Sequence, residues 1–143
     1  MMELNSENTK GLKVFVTGAF DIIHPGHIYI LKKAKEIGDF LIIGLLNDKA
    51  VKKLKEDKRP IVPFEERKEI LQFIEFVDFV IPVENLKNSL EKVKPDLIVQ
   101  CEEDKYFTKD KIKTFKGKII NIKRLEPFST SYFIKKILES KKE

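Results

Sequence analysis

The only two histidines in the chain, His24 and His27, stand three residues apart across Pro25 and Gly26. Gly18, Ala19, Phe20 and Asp21 precede them, and an amphipathic segment over residues 28–37 follows. Pro25 suits the first turn of a helix, where its missing N–H has no intrahelical partner. Both rings can then face one point just beyond the helix start. The helix N–H groups and the positive end of its dipole favour an anion there, and Gly26 leaves room for close approach to the backbone. The set describes a polyphosphate site. Half of a metal site is the competing reading of His-x-x-His, but a structural zinc site takes about four N or S ligands. Cys101 is the only cysteine. The stretch matches neither the Walker A pattern nor Gly-x-Gly-x-x-Gly.

Three further groups carry possible chemistry. Ser129, Thr130 and Ser131 open a helix after Pro127 and read either as a second anion site or as a plain N-cap. Lys52, Lys53, Lys55, Lys58 and Arg59 cluster in one segment, and a solvated basic loop is the usual fate of such a run. Cys101 has no histidine near it in sequence, which weighs against a nucleophilic thiol.

The elements that must position these residues follow from hydrophobic patterning. Residues 12–16 form an apolar run interrupted by Lys13, read as a strand ending just before Gly18. Residues 40–46 are apolar without alternation, as in a strand covered on both faces. Asn47 and Asp48 can cap a short helix reaching about Lys55. Two prolines make residues 58–63 a loop. Glu65 and Glu66 suit the first turn of a helix whose buried stripe is read as Ile70, Leu71, Ile74 and Val77. Strands are predicted at 79–83, 97–99 and 118–122, and helices at 86–93 and 129–138. The last has Phe133, Ile134, Ile137 and Leu138 as its apolar face. Strands alternating with helices imply a parallel sheet with right-handed crossovers. Ligands on such sheets bind beyond the carboxyl ends of the strands, where residues 18–27 lie.

At 143 residues the chain suits one domain, read as residues 11–143 behind a flexible polar tail over 1–10. No apolar run reaches the length of a membrane span, and the first ten residues lack the apolar segment of a secretory signal. One cysteine fits a reducing compartment, so a cytoplasmic location is expected. The net charge of +5 comes almost wholly from lysine, with Arg59, Arg67 and Arg124 the only arginines. Its scatter among Asp and Glu argues against a nucleic-acid partner, which would ask for a concentrated basic and aromatic face.

Residues 18–27 resemble the G-x-F-D-x-x-H-x-G-H signature of the cytidylyltransferase-like nucleotidyltransferases, with every fixed position filled. The resemblance implies an α/β, Rossmann-like three-layer sandwich with a five-stranded parallel sheet. It implies transfer of a nucleotidyl group from an NTP to a small, often phosphorylated acceptor. Carried onto this chain, it makes His24 and His27 phosphate ligands and places Thr17, Gly18, Ala19, Phe20, Asp21, Pro25 and Gly26 along the nucleotide. It also makes Ser129, Thr130 and Ser131 a version of the closing I-S-T-T motif, whose hydroxyls contact phosphates. A mobile lysine, Lys53 or Lys55, would close over the triphosphate, and Arg124 would draw charge onto the leaving group. Arg59 to Arg67 matches a recurring R-P-x-x-P-x-E-x-R segment, in which Arg67 is as readily structural as ligand-binding.

After the fourth strand many relatives carry Gly-x-Asp, whereas this chain has Cys101, Glu102, Glu103 and Asp104. A side chain at Cys101 narrows the base pocket, and Glu103 bears on which base or acceptor fits. The chain is similar to the adenylyltransferase domain of bifunctional heptose-phosphate enzymes, including its Glu75-x-Val77-Asp78 segment. Archaeal-type FAD synthases and glycerol-3-phosphate cytidylyltransferases are similar too. The resemblance therefore implies ATP, ahead of CTP, with a sugar phosphate as acceptor, FMN next and a cytidylyltransferase third. Mg²⁺ would travel with the triphosphate, since the motif supplies no carboxylate cage. A homodimer is expected. The altered loop at Cys101 motivates a different class, a nucleotide-binding regulatory domain without catalysis, against which the intact histidine pair speaks.

Overall fold

A computed structural model describes residue 4 and residues 11–55, 58–101 and 112–141. The first strand, β1 (Lys13–Gly18), leads through the histidine loop into α1 (Pro25–Ile37). There follow β2 (Phe40–Leu46), α2 (Asp48–Leu54), α3 (Phe64–Gln72), β3 (Phe79–Val83), α4 (Leu86–Val93), β4 (Leu97–Cys101), β5 (Lys118–Ile122) and α5 (Thr130–Ser140). All strand pairs are parallel, in the order β3-β2-β1-β4-β5. The expected Rossmann-like sandwich is therefore what the chain forms.

Alternation along β1 sends its side chains to two cores. Phe15 packs with Ile42, Ile98, Val51 of α2 and Leu90 of α4 on one face of the sheet. Val14 and Val16 pack with Ile43, Val99, Leu31 and Ala34 of α1, and Leu71 of α3 on the other. Lys13, the polar interruption in the first run, donates its ammonium to the carbonyl of Val93 at 2.7 Å. The expected tail over residues 1–10 lies outside the described residues apart from Leu4, which packs against the α2/α4 core.

Two expectations about helices are corrected. The third helix stops at Gln72, where Phe73 caps it with its N–H turned to Glu69, Ile70 and Leu71 carbonyls. Ile74 and Val77 thus reach the α1/α3 core from the connection to β3, and Ile70 is 46% exposed. The closing helix, α5, has Ser129 as its N-cap and so starts one residue later than expected; none of its residues is buried, and Ile137 and Leu138 lie more than half exposed.

The sheet has its switch point between β1 and β4, because the chain winds outward from β1 through β2 to β3 and then returns to β1's other side. Ligands bind at such a crevice. Here the crevice is open. β1 follows β2 along its whole length, from Lys13↔Phe40 to Gly18↔Leu45, but stays paired with β4 only at Val14↔Leu97 and Phe15↔Ile98.

Candidate active site

The loop between β1 and α1 is bent through two non-glycine residues in the left-handed region, Phe20 (φ 49°) and Ile22 (φ 57°). Such conformations cost about 1–3 kcal/mol each and persist where surroundings over-determine them. The surroundings do so here. Phe20 is buried in the α1/α3 core. The Asp21 carboxylate, wholly buried, accepts from Arg59 Nε (2.8 Å), Ile61 N (2.8 Å) and Val62 N (2.9 Å). The Asp21 carbonyl accepts from Thr130 Oγ1 at 2.6 Å. The carbonyl of Ala19 accepts from Arg67 Nη1 at 2.7 Å.

Arg67 is a hub of structure. It is 1% exposed, and its remaining donors go to the carbonyls of Val62 (2.8 Å) and Leu46 (2.9 Å) and to Asp48 Oδ1 (2.7 Å). The structural option for this residue is the one realised.

His24 is the N-cap of α1. Its Nδ1 accepts from the N–H of Gly26 at 3.1 Å, which puts the ring's proton on Nε2 and makes that atom a donor. A Cβ on Gly26 would sit 2.8 Å from His24 Cε1 and 3.3 Å from Phe128 Cβ, so only glycine lets the ring fold back onto the helix start. The two imidazoles stack, with centroids 3.7 Å apart and planes at 30°. Phe133 of α5 lies 5.4 Å beyond His24, and Phe20 lies 5.2 Å from His27.

Burial pushes the pKa of His24 down, with the Arg124 guanidinium adding to the effect. Burial, and secondarily His24, lower that of His27 to about 3, against the opposing pull of Asp21. Both rings are therefore neutral donors at pH 7. Between pH 6.5 and about 3 the unfolded chain binds a proton at His27 that the folded chain refuses. This contribution to stability is fully present above pH 6.5 and declines as pH falls. Urea denaturation at pH 7.5 and 5.0 is expected to show at most about 2 kcal/mol lost through this ring. His27→Gln should show a correspondingly shallower decline, and an unchanged slope would overturn the assignment.

The histidine loop, α5 and the open β1/β4 crevice enclose a cleft of about 580 Å³. Thr17, Gly18, Ala19, Phe20, Asp21, His24, Gly26 and His27 line it from the first crossover. Arg124, Ser129, Thr130 and Ser131 line it from the approach to α5. The two helix starts thus lie on the same cleft. Ser129 caps α5 by accepting from Tyr132 N at 3.0 Å, which leaves its own O–H as a donor. The structure separates the two candidate lysines: α2 ends at Leu54, and of these two exposed side chains Lys55 lines the cleft and Lys53 does not. Pro25 opens α1 but is exposed and is not in the lining. Cys101 lies half-buried at the end of β4 in the cleft. Glu103 lies outside the described residues.

Sequence reading missed Gln100, which also lines the cleft. Its one signal was a polar residue continuing an apolar strand. Among the described residues no group of three or more His, Cys, Asp or Glu is placed to hold a metal ion, and none of their helices is long and apolar enough to cross a membrane.

A five-stranded parallel sheet whose switch point opens beside paired imidazoles and two helix N-termini defines a Rossmann-like domain with a cleft suited to anions. The sequence profile of the Cytidylyltransferase-like family matches residues 15–136, and the chain belongs to that family of nucleotidyltransferases. It is 39% identical over 127 residues to the bifunctional protein HldE of Helicobacter pylori, matching 87% of this chain and 27% of that protein. To HldE of Campylobacter fetus it is 45% identical over 89 residues, 61% of this chain and 19% of the relative. The chain thus spans under a third of the curated relatives it matches. The crystal structure of a lipopolysaccharide core biosynthesis protein from Thermoplasma volcanium superposes with a TM-score of 0.74 at 27% identity, covering 82% of this chain and 100% of that one.

Proposed function

We propose that the chain transfers AMP from ATP to the phosphate of a small phosphorylated acceptor, a sugar phosphate, and releases pyrophosphate. The observation that carries this is the pair of stacked, neutral imidazoles at the start of α1, on one cleft with the start of α5. Similarity to bifunctional HldE proteins and to a lipopolysaccharide core biosynthesis protein supports a sugar-phosphate acceptor.

An acceptor phosphate oxygen attacks the α-phosphorus, the new P–O bond forms in line with the α–β bridge, and that bridge breaks to give pyrophosphate. A phosphate nucleophile is already anionic and requires neither a Ser or Cys intermediate nor a strong base. Catalysis is then alignment and stabilisation of spreading negative charge by preorganised donors. His24 donates from Nε2, with its ring held by the Gly26 N–H, and His27 donates beside it. Lys55 and Arg124 draw charge onto the departing pyrophosphate from the cleft wall. Ser129, Ser131 and the N–H groups of α5 hold the triphosphate from the other side. Mg²⁺ belongs to this reading as part of the substrate, held by the phosphates. The Asp21 carboxylate is committed to Arg59 and two backbone amides.

A homodimer completes the reading. Phe73, 83% exposed, and Ile137 and Leu138 of α5 are apolar side chains that a second copy can cover, and sedimentation velocity measures it. The reaction is tested by pyrophosphate release from ATP or CTP, each combined with heptose phosphates, FMN and glycerol 3-phosphate. Release from ATP with a sugar phosphate is expected. Release only from CTP, or nucleotide binding with no release across the panel, would overturn the assignment, the latter in favour of a regulatory domain.

A further inference from the structure

Besides His27 Nδ1, two buried polar atoms of the cleft have no hydrogen-bond partner, and both stand on strands instead of at the helix starts. Thr17 is 3% exposed and its Oγ1 is unsatisfied; so is Oε1 of Gln100. They stand at matching positions beyond the last β1/β4 pair. Phe15 and Ile98 are paired across β1 and β4, and Thr17 and Gln100 come two residues further along each strand, on the same face as that pair. Ladder pairing between the two strands has ended by this level, and both residues line the cleft in the gap. Gln100 is held from its other side: Nε2 donates at 2.7 Å to Oδ1 of Asn121, its ladder partner on β5. Its oxygen is thereby turned away from β5.

The chemistry of these atoms differs from that of the rest of the cleft. His24, His27, Lys55, Arg124 and the hydroxyls of Ser129 and Ser131 are donors suited to anions. An amide oxygen only accepts, and would repel a phosphate oxygen. A hydroxyl answers both atoms at once, donating to Gln100 Oε1 and accepting from Thr17 Oγ1. Native interiors rarely leave such groups unsatisfied, and each exception calls for an explanation. We propose that Thr17 and Gln100 form a hydroxyl-reading floor between β1 and β4, which recognises a sugar hydroxyl of a substrate whose phosphates lie at the two helix starts. This rests on the proposed nucleotidyl transfer and specifies how that cleft selects its ligand.

A sugar hydroxyl has two sources here, the nucleotide ribose and the acceptor. Binding by titration calorimetry compares ATP with 2′-deoxy-ATP and 3′-deoxy-ATP in one arm, and ribose 5-phosphate with 2-deoxyribose 5-phosphate in the other. The same pairs are compared in Thr17→Val and Gln100→Met, with Thr17→Ser and Gln100→Glu as variants that keep a hydroxyl and an acceptor oxygen. One arm is expected to show at least tenfold preference for the hydroxylated ligand, lost in Thr17→Val and Gln100→Met and retained in Thr17→Ser and Gln100→Glu. The arm that responds identifies the source. Absence of discrimination in both arms, or equal weakening of hydroxylated and deoxy ligands by Thr17→Val, would overturn the floor. Because the readout is binding, a protein that binds with this discrimination yet releases no pyrophosphate would refute the proposed reaction and leave the floor standing.

Discussion

His27→Ala is expected to lower turnover by about 10²–10³ while the chain stays folded. The ring is flanked by Phe20 and His24 on the cleft, and its Nδ1 makes no hydrogen bond. Removing it therefore breaks no internal bond of that atom and, in the proposed reaction, takes away a donor needed only when negative charge accumulates. Burial keeps the ring neutral at working pH, so its contribution is a placed N–H instead of a fixed positive charge. His27→Asn, which restores an N–H donor, should recover part of the rate, whereas His27→Leu should not. Pyrophosphate release measures the rate and circular dichroism the fold. Near-normal turnover in the alanine variant would remove this side chain from the mechanism.

Arg67→Ala is expected to cost about 3–5 kcal/mol of stability, since each buried acceptor left without its donor costs about 1–3 kcal/mol. Four acceptors lose their donor at once: the carbonyls of Ala19, Leu46 and Val62, and Asp48. Arg67→Lys should recover little, because one ammonium cannot reach groups that a planar guanidinium meets in three directions. Activity should fall with stability, since the Ala19 carbonyl lies in the strained loop ahead of His24. Urea denaturation reads the effect, and a wild-type midpoint in Arg67→Ala would refute the hub.

What the sequence disclosed divides along the range of the interactions. The parallel sheet was legible because Phe40 to Leu46 is apolar without a break, and a strand buried on both faces has no other composition available. The histidine pair was legible because its geometry is set within one turn of one helix. The end of α3 was not: Ile74 and Val77 continue the apolar spacing beyond Gln72, yet they pack on the core from the connection that follows the cap at Phe73, Val77 buried and Ile74 partly so. Nor could spacing separate Lys53 from Lys55, since the break at Leu54 turns only the second toward the cleft. Asp21 and Arg67 read as motif members, but their partners lie 38 and 48 residues away in sequence. Gln100 acquires meaning only when β1 and β4 part.

Asp21 joins three stretches remote in the chain: the crossover that bears it, the segment Arg59 to Val62 through its carboxylate, and the opening of α5 through its carbonyl. Residues 59–62 are thus tied through one residue to the starts of both α1 and α5. A variant that resets residues 59–62 is expected to re-aim both helix mouths together, so under the proposed function libraries seeking new acceptor preferences are best built in that segment, with both imidazoles left untouched.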